Sequence, residues 1–246
     1  MNLLVDLGNS RLKWAQDASG QWQAGAALLD SEKNIVELFD KAWKKMAKPR
    51  RVVVCSVSHP ERIAALGQWI RSRWSLPVHI VRPQAEQLGV KNLYRQPDQL
   101  GADRWTALIG ARGLTHTAAC VVDAGTALTV DAMSAKGDFL GGVIFPGLKL
   151  LHESLVQGTV AISAEIGEAS NCLGRSTEDG VAAGTLFGLA GAVDRLIEEN
   201  RRTLGDSMKV FLTGGDAPLI SSHLRVAYTP SPDLVLKGLA RIADSL

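Results

Sequence analysis

A short residue pattern that occurs twice constrains the fold of this chain more than any other feature of its sequence. Each copy is an apolar run of β-forming residues ending in an aspartate, then one further residue, a glycine, and a hydroxyl-bearing residue shortly after. The copies lie at residues 4–10 and 121–126. A second apolar run follows each copy closely enough to pair back as a hairpin. Two such copies in one chain indicate two lobes of similar topology.

Hydrophobic periodicity predicts a similar succession of elements in both halves. Helices are predicted over residues 31–46 (with Ser31 as its N-cap), 60–74, 101–112, 177–202, 217–224 and 233–246, and strands after the hairpins over 21–29, 51–57, 78–81, 138–145, 210–213 and 225–228. This succession predicts an α/β fold in which a mixed sheet covered by helices occurs twice. We place the lobes at residues 1–100 and 101–246, with the helix at 101–112 bridging them.

The long helix predicted at 177–202 carries small residues along one side. Gly180, Gly184, Gly188 and Ala192 recur every four residues, and Thr177 is placed to cap the helix. Glycine inside a helix costs about 1 kcal/mol relative to alanine, so several in register need a compensating contact. Close approach of another helix supplies such a contact, from the same chain or from a second subunit.

Composition indicates a folded globular protein and excludes several classes of function. Hydrophobic residues make up 46% of the 246 residues and charged residues 21%, which excludes a disordered or fibrous chain. The net charge of +2 is too small to indicate nucleic-acid binding by itself. The three cysteines lack CxxC spacing, no apolar run reaches the length of a membrane span, and no secretory signal is recognisable. We therefore expect a cytoplasmic protein.

The aspartate and glycine of each copy suit the binding of nucleotide phosphates. Gly8 lets backbone amides approach an anion, the two polar residues after it add donors, and Lys13 adds a positive charge. Asp6 is placed to hold the metal that accompanies phosphates. An isolated D-x-G is more often an ordinary hairpin turn, but two copies and a third glycine-rich turn at 213–216 favour a phosphate site. Neither a Walker loop nor a dinucleotide fingerprint occurs.

A second candidate site opens the helix predicted at 101–112. Its first residues are Gly101, Ala102, Asp103 and Arg104. An aspartate here can accept the proton of a substrate hydroxyl, and the neighbouring arginine suits an anionic group. An aspartate near a helix start often only caps the helix, and Asp-Arg neighbours often face solvent. The motif alone leaves both interpretations open.

Other chemistries lack the residues that they require. The five histidines have no zinc-binding spacing, and no G-x-S-x-G or related hydrolase grouping occurs. The basic run at residues 41–51 is better interpreted as a solvated helix face than as a nucleic-acid patch. Phosphoryl transfer, by contrast, needs little from a base such as Asp103, because positioning and charge neutralisation carry most of its catalysis.

Taken in order, the motifs resemble those of type III pantothenate kinases over the length of the chain. The first phosphate motif corresponds to Asp6, Leu7, Gly8, Asn9, Ser10, Arg11, Leu12 and Lys13. The substrate motif corresponds to residues 101–104 and the second phosphate motif to 123–126, while 141–147, 174–177 and the glycine pair at 214–215, near the adenosine site, also fit. Each motif alone is weak, but together, in this order and spacing, they are specific.

The resemblance implies a fold and an activity. The family belongs to the superfamily of acetate and sugar kinases, heat-shock chaperones and actin. Its fold is α/β, with two RNase H-like lobes, each a mixed β-sheet flanked by helices, and a nucleotide cleft between them. The implied activity is ATP-dependent phosphorylation of pantothenate to 4′-phosphopantothenate, the first step of coenzyme A biosynthesis. It requires Mg²⁺ with ATP and a monovalent cation, K⁺ or NH₄⁺, in a homodimer whose active site lies near the interface.

The resemblance also assigns roles to residues at the substrate. Asp103 is the implied general base. Tyr94 and residues 101–104 are implied to contact pantothenate, and its carboxylate suits Arg104. Thr177 is implied to contact pantothenate from across the dimer interface.

A second set of roles concerns ATP and its cations. Asp6 to Lys13 and Thr126 are implied to bind ATP, with Asp6 at its magnesium. Asp123 is implied to hold the monovalent cation. Ser10 stands where many relatives have threonine, which keeps the hydroxyl.

Two other functions stay open from the sequence. The first is another small-molecule kinase of the same superfamily, against which the motif at 101–104 argues. The second is a non-catalytic nucleotide- or DNA-binding regulator that uses the basic run at 41–51. The intact Asp6, Asp103 and Asp123 argue against it, because a pure binder needs no such acid.

Overall fold

The computed structural model describes residues 1–18, 21–29, 34–163, 165, 167 and 169–246. They form two compact units: unit 1 consists of Met1–Leu114 and Asp233–Leu246, and unit 2 of Thr115–Pro232. These units differ from the lobes expected at 1–100 and 101–246, because the helix that follows residue 101 and the C-terminal helix both pack within unit 1.

The elements follow one another in an order close to the predicted one. They are β1 (Asn2–Leu7), β2 (Arg11–Ala18), β3 (Gln21–Leu28), α1 (Ile35–Trp43), β4 (Arg51–Ser56), α2 (Pro60–Trp74), β5 (Val78–Ile80), β6 (Glu86–Gln87), β7 (Val90–Asn92), a 3-10 helix (Pro97–Gln99), α3 (Ala102–Leu114), β8 (Ala119–Ala124), β9 (Ala127–Met133), β10 (Asp138–Pro146), α4 (Leu148–Gly158), α5 (Thr177–Leu204), β11 (Lys209–Thr213), α6 (Ala217–Ser221), β12 (Thr229–Pro230) and α7 (Leu234–Asp244).

The two units contain sheets of the same topology. In unit 1, β2 pairs antiparallel with β1 and β3, while β4 pairs parallel with β1 and β5. In unit 2, β9 pairs antiparallel with β8 and β10, while β11 pairs parallel with β8 and β12. These strands therefore follow the orders β3-β2-β1-β4-β5 and β10-β9-β8-β11-β12, the second as part of a seven-stranded sheet. This confirms the α/β fold of two helix-flanked mixed sheets, and both repeated aspartates lie on a central strand.

Some element boundaries differ from the prediction for local reasons. The strand predicted at 225–228 lies instead at Thr229–Pro230, because the Asp194 carboxylate accepts the backbone N–H groups of Arg225 and Val226. The helix α4 and the β6-β7 hairpin were not predicted. The predicted cap Ser31 lies outside the described residues, and α1 begins at Ile35 after a cap by Asn34.

Two glycines allow α3 and α7 to pack with their backbones in contact. A Cβ on Gly110 would lie 3.2 Å from the Gly238 nitrogen, and a Cβ on Gly238 would collide with the Thr106 carbonyl oxygen. Arg241 on α7 donates Nη1 to the Ile109 carbonyl of α3, at 2.6 Å. This packing places α7 in unit 1 and fixes the orientation of α3, whose first turn carries the Gly101–Arg104 motif.

The helix α5 belongs to the core of unit 2, but its glycine-bearing side is exposed. Leu189 and Ile197 are buried among the apolar side chains of unit 2. Gly180, Gly184 and Gly188 are exposed, and within the described ranges nothing lies within 4 Å of a Cβ placed on them. The described part of the chain therefore supplies no helix against this stripe. Among the described residues α5 alone has the length and apolar character of a membrane span, a test that core helices of soluble proteins also pass.

Candidate functional site

The first Asp-Gly hairpin joins β1 to β2 through an exposed tip whose backbone is held in place. The Gly8 nitrogen donates to the Arg11 carbonyl at 3.0 Å, and a Cβ on Gly8 would lie 3.2 Å from that oxygen. Arg62 of α2 donates Nη1 to the Asn9 carbonyl at 2.8 Å. Asn9 and Ser10 are both exposed. The tip therefore presents amide and hydroxyl groups to an incoming anion on a fixed backbone.

Asp6 and Lys13 lie directly opposite each other in this hairpin. Opposed residues of an antiparallel pair extend from the same face of the sheet, with Cβ atoms about 5 Å apart. A carboxylate suits a divalent metal, while an ammonium group suits a phosphate oxygen. The base of the first hairpin therefore carries both groups that a metal–phosphate complex requires.

The second Asp-Gly hairpin is one residue shorter and is supported by backbone. Gly125 and Thr126 join β8 to β9, and the Gly125 nitrogen donates to the Ala127 carbonyl at 3.1 Å. The Gly147 nitrogen, just before α4, donates to the Thr126 carbonyl at 3.0 Å. A Cβ on Gly147 would lie 2.7 Å from that oxygen and closer still to the Gly125 carbonyl. The α4 start therefore rests directly on the hairpin, and only glycine fits there.

Asp123 occupies the position in unit 2 that Asp6 occupies in unit 1, but its strand partners are neutral. It is paired with Thr129 of β9 and with Thr213 of β11. Both threonines are buried. Carboxylate, hydroxyl and carbonyl oxygens are the ligands that hard cations prefer. The donor set around Asp123 therefore fits a cation.

The motif Gly101–Arg104 forms the first turn of α3. The Trp105 nitrogen donates to the Gly101 carbonyl at 3.0 Å, and the Arg104 nitrogen donates to Oδ1 of Asp103 at 2.8 Å. A Cβ on Gly101 would lie 2.6 Å from the same Oδ1. Glycine at this position therefore leaves room for the Asp103 carboxylate, and this steric requirement explains why a glycine begins the motif.

Burial raises the pKa of Asp103 above its ordinary value, and the Arg104 backbone N–H and guanidinium charge lower it only in part. Desolvation disfavours the charged form of a carboxyl, so a raised pKa marks a stronger base. A catalytic base works best when its pKa approaches the working pH. The environment of Asp103 thus favours a chemical role over the solvent-facing pair that the sequence left open.

Arg104 is held against Tyr94. It is 6% exposed, donates Nη1 to the Tyr94 hydroxyl at 2.8 Å, and its guanidinium carbon lies 5.7 Å from the centre of the Tyr94 ring. An arginine oriented in this way is suited to binding a carboxylate. The structure therefore brings together two residues that the sequence analysis assigns to the same substrate.

Thr177 begins α5 and is exposed, but the prediction that it caps the helix was wrong. The cap is Ser176, whose hydroxyl accepts the Asp179 backbone N–H at 3.1 Å. Both residues are short hydroxyl side chains at the helix start, so sequence could not separate them. The exposed Thr177 side chain remains accessible to a ligand.

Unit 2 also contains a mainly apolar cavity of about 630 Å³, whose lining includes Leu148 of α4, Leu186 of α5, Leu219 of α6 and Asp216 just before α6. The Asp216 nitrogen donates to the Ala124 carbonyl at 2.8 Å, beside the second hairpin. This attachment depends on the preceding turn, where Gly214 has φ 100° and lies against the Ala124 backbone. The cavity therefore lies beside the second hairpin.

The predicted site residues fall into two groups. Unit 1 carries Asp6 to Lys13, Tyr94 and residues 101–104, and unit 2 carries Asp123, Thr126 and Thr177. Over the described ranges, no three His, Cys, Asp or Glu side chains form a metal-binding cluster. Asp6 and Asp123 would each offer one carboxylate to a cation whose other ligands are backbone, hydroxyl, phosphate or water oxygens.

Sequence reasoning missed two residues that support this site. Arg62 holds the Asn9 carbonyl from a separate helix, a contact that local patterns do not report. Asn92 holds the turn that carries Tyr94. An asparagine two residues before a turn residue is a recognisable Asx signal, so this second contact could have been found.

Solved structures share the fold at low sequence identity. A protein of the Baf family of transcriptional activators from Campylobacter jejuni superposes with a TM-score of 0.59 at 20% identity, over 99% of this chain and 98% of the other. The activator of the 2-hydroxyisocaproyl-CoA dehydratase from Clostridium difficile, with bound ADPNP, gives 0.54 at 11% identity, over 99% and 96%. These likenesses support the fold alone.

Sequence comparisons give relatives of higher identity than the solved structures do. The sequence model of the type III pantothenate kinases matches residues 2–199. A type III pantothenate kinase from Nitrosococcus oceani is 38% identical over 250 residues, covering 99% of this chain and 94% of the relative. Another, from Halorhodospira halophila, is 40% identical over 97% of this chain and 96% of the relative. The chain therefore belongs to the type III pantothenate kinase family.

Proposed function

We propose that the protein transfers the terminal phosphate of ATP to the primary hydroxyl of pantothenate, which forms 4′-phosphopantothenate and begins coenzyme A biosynthesis. Its family makes it a kinase that uses ATP with a divalent metal and takes pantothenate as acceptor. The observation that carries the site assignment is the half-buried Asp103 carboxylate, with its raised pKa, next to the Arg104–Tyr94 pair. We expect this reaction to take place in the cytoplasm.

The chemistry of pantothenate matches this pair of groups. Its primary hydroxyl must lose a proton as the new phosphate ester bond forms, and Asp103 is the base that accepts this proton. Its carboxylate binds Arg104, whose guanidinium the Tyr94 hydroxyl and ring orient. Gly101 and Ala102 contact pantothenate from the same turn, and Thr177 supplies a further hydroxyl from across the dimer interface.

Residues Asp6 to Lys13 bind the ATP phosphates, and Thr126 of the second hairpin contacts ATP as well. Asp6 is the carboxylate that holds magnesium, while Lys13, opposite it, binds a phosphate oxygen. Magnesium, when bound, neutralises the charge that develops on the transferred phosphoryl group. Phosphoryl transfer depends mainly on positioning and charge neutralisation, and these two residues provide both.

Asp123 holds a monovalent cation, potassium or ammonium. The oxygen atoms around Asp123 support this assignment. The neutral Thr129 lies opposite Asp123, where Lys13 lies opposite Asp6, and Thr213 is its partner on β11. A large, weakly charged cation needs several oxygen ligands rather than a cluster of carboxylates, and a single carboxylate with hydroxyl and carbonyl oxygens provides them.

The cavity beside the second hairpin receives the nucleoside of ATP. Its lining is mainly apolar, which suits a nucleobase, and Asp216 in the lining is hydrogen-bonded through its backbone N–H to Ala124 of the hairpin strand. An Ala182→Trp substitution fills this cavity from α5. It is expected to raise the KM for ATP while the KM for pantothenate changes little, and equal changes in both would contradict the assignment.

The protein acts as a homodimer through the glycine-bearing side of α5. This side is exposed along three helical turns, and Val143, Ile144 and Phe145 of β10 are exposed apolar residues of the same unit. A Gly184→Leu substitution places a large side chain on the stripe and should shift the sedimentation coefficient from dimer to monomer. A wild-type protein that sediments as a monomer at enzyme-assay concentrations would refute the dimer.

The direct test is ADP release from ATP and magnesium with and without pantothenate. Turnover that requires pantothenate confirms the acceptor, and mass spectrometry should identify 4′-phosphopantothenate. A folded protein that phosphorylates another small alcohol from a substrate panel would favour the kinase alternative. No turnover with any acceptor, together with a salt-dependent affinity for DNA, would favour the regulator.

A further inference from the structure

Asn92, the last residue of β7, closes the turn that carries Tyr94. Its side chain makes two hydrogen bonds: Nδ2 donates to the Pro97 carbonyl at 3.0 Å, and Oδ1 accepts the Tyr94 backbone N–H at 3.1 Å. Its own backbone nitrogen donates to the Ala85 carbonyl at 2.8 Å. The residue is 5% exposed. One buried amide therefore connects the strand, the Tyr94 backbone and the far end of the turn.

The far end of this turn leads directly into the motif of α3. The Pro97 carbonyl also accepts the Leu100 backbone N–H at 3.3 Å, which closes the 3-10 helix just before Gly101. Asn92 therefore holds both the segment that carries Tyr94 and the segment that enters α3. A shift of either segment would change the distance between the Tyr94 hydroxyl and Arg104, now 2.8 Å from Nη1 to oxygen.

The two contacts require an asparagine in particular. An amide offers a donor and an acceptor on one short side chain, whereas aspartate offers acceptors alone and serine is shorter. Asp in place of Asn92 keeps the shape and the acceptor for the Tyr94 N–H. It also places a charged oxygen against the Pro97 carbonyl, where Nδ2 now donates.

We propose that Asn92 is a positioning residue for the acceptor substrate, which acts by fixing the Tyr94–Arg104 pair. The inference rests on the proposed function, in which that pair binds the pantothenate carboxylate. Asn92 touches neither substrate in this account. Its effect should therefore fall on pantothenate, because both of its side-chain hydrogen bonds hold the segment between Tyr94 and Pro97, and Tyr94 in turn orients Arg104.

The test compares steady-state constants of Asn92→Asp, Tyr94→Phe and the double variant with those of wild type. Asn92→Asp should raise the KM for pantothenate about tenfold to a hundredfold, the loss expected when a charged hydrogen-bonded group is misaligned. The KM for ATP should stay within about twofold, and kcat should change less than the pantothenate KM. The double variant should raise that KM by much less than the product of the single effects, because both changes disturb one pair.

The matched control is Asn34→Asp, which makes the same atomic replacement at an exposed helix cap. There Oδ1 accepts the Val36 backbone N–H, and aspartate caps a helix as well as asparagine does. This control should keep wild-type constants. If Asn92→Asp fails to fold, Asn92→Ser, which can still accept the Tyr94 N–H, takes its place in the same measurement.

The possible outcomes separate the inference from the proposed function. Parallel rises in the KM values for ATP and pantothenate, or multiplicative effects in the double variant, would overturn the positioning role and leave a merely structural asparagine. Unchanged constants in Asn92→Asp would overturn it too. A wild-type protein without pantothenate-dependent turnover would instead overturn the proposed function, and with it the substrate that Asn92 is inferred to serve.

Discussion

Unit 1 and unit 2 each place an aspartate on the middle one of five strands that pair in the same order, and the residues around the two aspartates differ. Lys13 lies opposite Asp6, whereas Thr129 lies opposite Asp123. The first hairpin turn is also one residue longer than the second. The same topology therefore carries a charged pair suited to metal and phosphate in one unit, and a neutral oxygen-rich setting suited to a cation in the other.

The two hairpins are also supported in different ways. At the first tip, the Arg62 side chain donates to the Asn9 carbonyl and the Leu29 backbone N–H donates to the Ser10 carbonyl at 2.9 Å. Backbone holds the second, where Gly147 approaches Gly125 and Thr126 so closely that no Cβ fits. A flexible side chain can adjust to a substitution, whereas packed backbone cannot. The second hairpin should therefore tolerate less change than the first.

The largest expected effect comes from Asp103→Asn, which changes neither hairpin. Removing a general base should lower kcat by about 10²–10⁴-fold, while the KM for ATP stays close to wild type. The amide oxygen can still accept the Arg104 N–H, so the fold should persist. Stopped-flow or coupled measurement of ADP release checks the rate, and unchanged turnover would contradict the assignment of the base.

The same substitution should not destabilise the protein at neutral pH. Because burial raises the pKa of Asp103 in the folded state, its contribution to stability is full below the ordinary carboxyl pKa and is lost as pH rises through the raised value. The asparagine side chain of the variant carries no charge to bury, so the variant should unfold at the same or a higher temperature than wild type at pH 7. A lower melting temperature would show that the ionised carboxylate stabilises the fold.

Glycine-to-alanine substitutions should lower the free energy of unfolding by different amounts in the two hairpins, an effect smaller than the loss of the base. Gly147→Ala should lower the free energy of unfolding by about 1–3 kcal/mol, because its Cβ would meet two backbone carbonyls. Gly8→Ala should cost less, since its Cβ would lie 3.2 Å from one carbonyl. Gly67→Ala on α2 is the control: nothing lies within 4 Å of its Cβ, and alanine favours a helix by up to about 1 kcal/mol. If urea unfolding shows that Gly147→Ala and Gly8→Ala lose equal free energies of unfolding, the second hairpin is not the less tolerant of the two.

The smallest effect concerns cysteine reactivity in the two sheets. Cys55 in unit 1 and Cys120 in unit 2 are buried, whereas Cys172 is exposed. Burial raises the pKa of Cys120 to about 12, so its thiol stays protonated at neutral pH. Iodoacetamide should therefore add one group to the native protein, at Cys172, and peptide mass spectrometry locates it. Labelling of Cys120 as fast as Cys172 would show that the unit 2 sheet opens readily.

Sequence predicted the features of this protein that depend on local pattern. The two hairpins, the α3 motif and most helices follow from periodicity and from glycine and aspartate positions. The partner of each aspartate could be inferred only once the register was known, because Lys13 lies seven residues after Asp6 whereas Thr129 lies six residues after Asp123. The unit boundaries could not be predicted, because the contact of α7 with α3 joins residues far apart in the chain.

The measurement that tests the contrast between the hairpins most directly is the potassium activation of ADP release in Asp6→Asn and Asp123→Asn. Asp123→Asn should weaken or remove potassium activation while magnesium dependence stays close to wild type. Asp6→Asn should instead raise the requirement for magnesium and ATP and keep the potassium concentration for half activation. Equal shifts of both dependences in both variants would contradict the assignment of different ligands to the two hairpins.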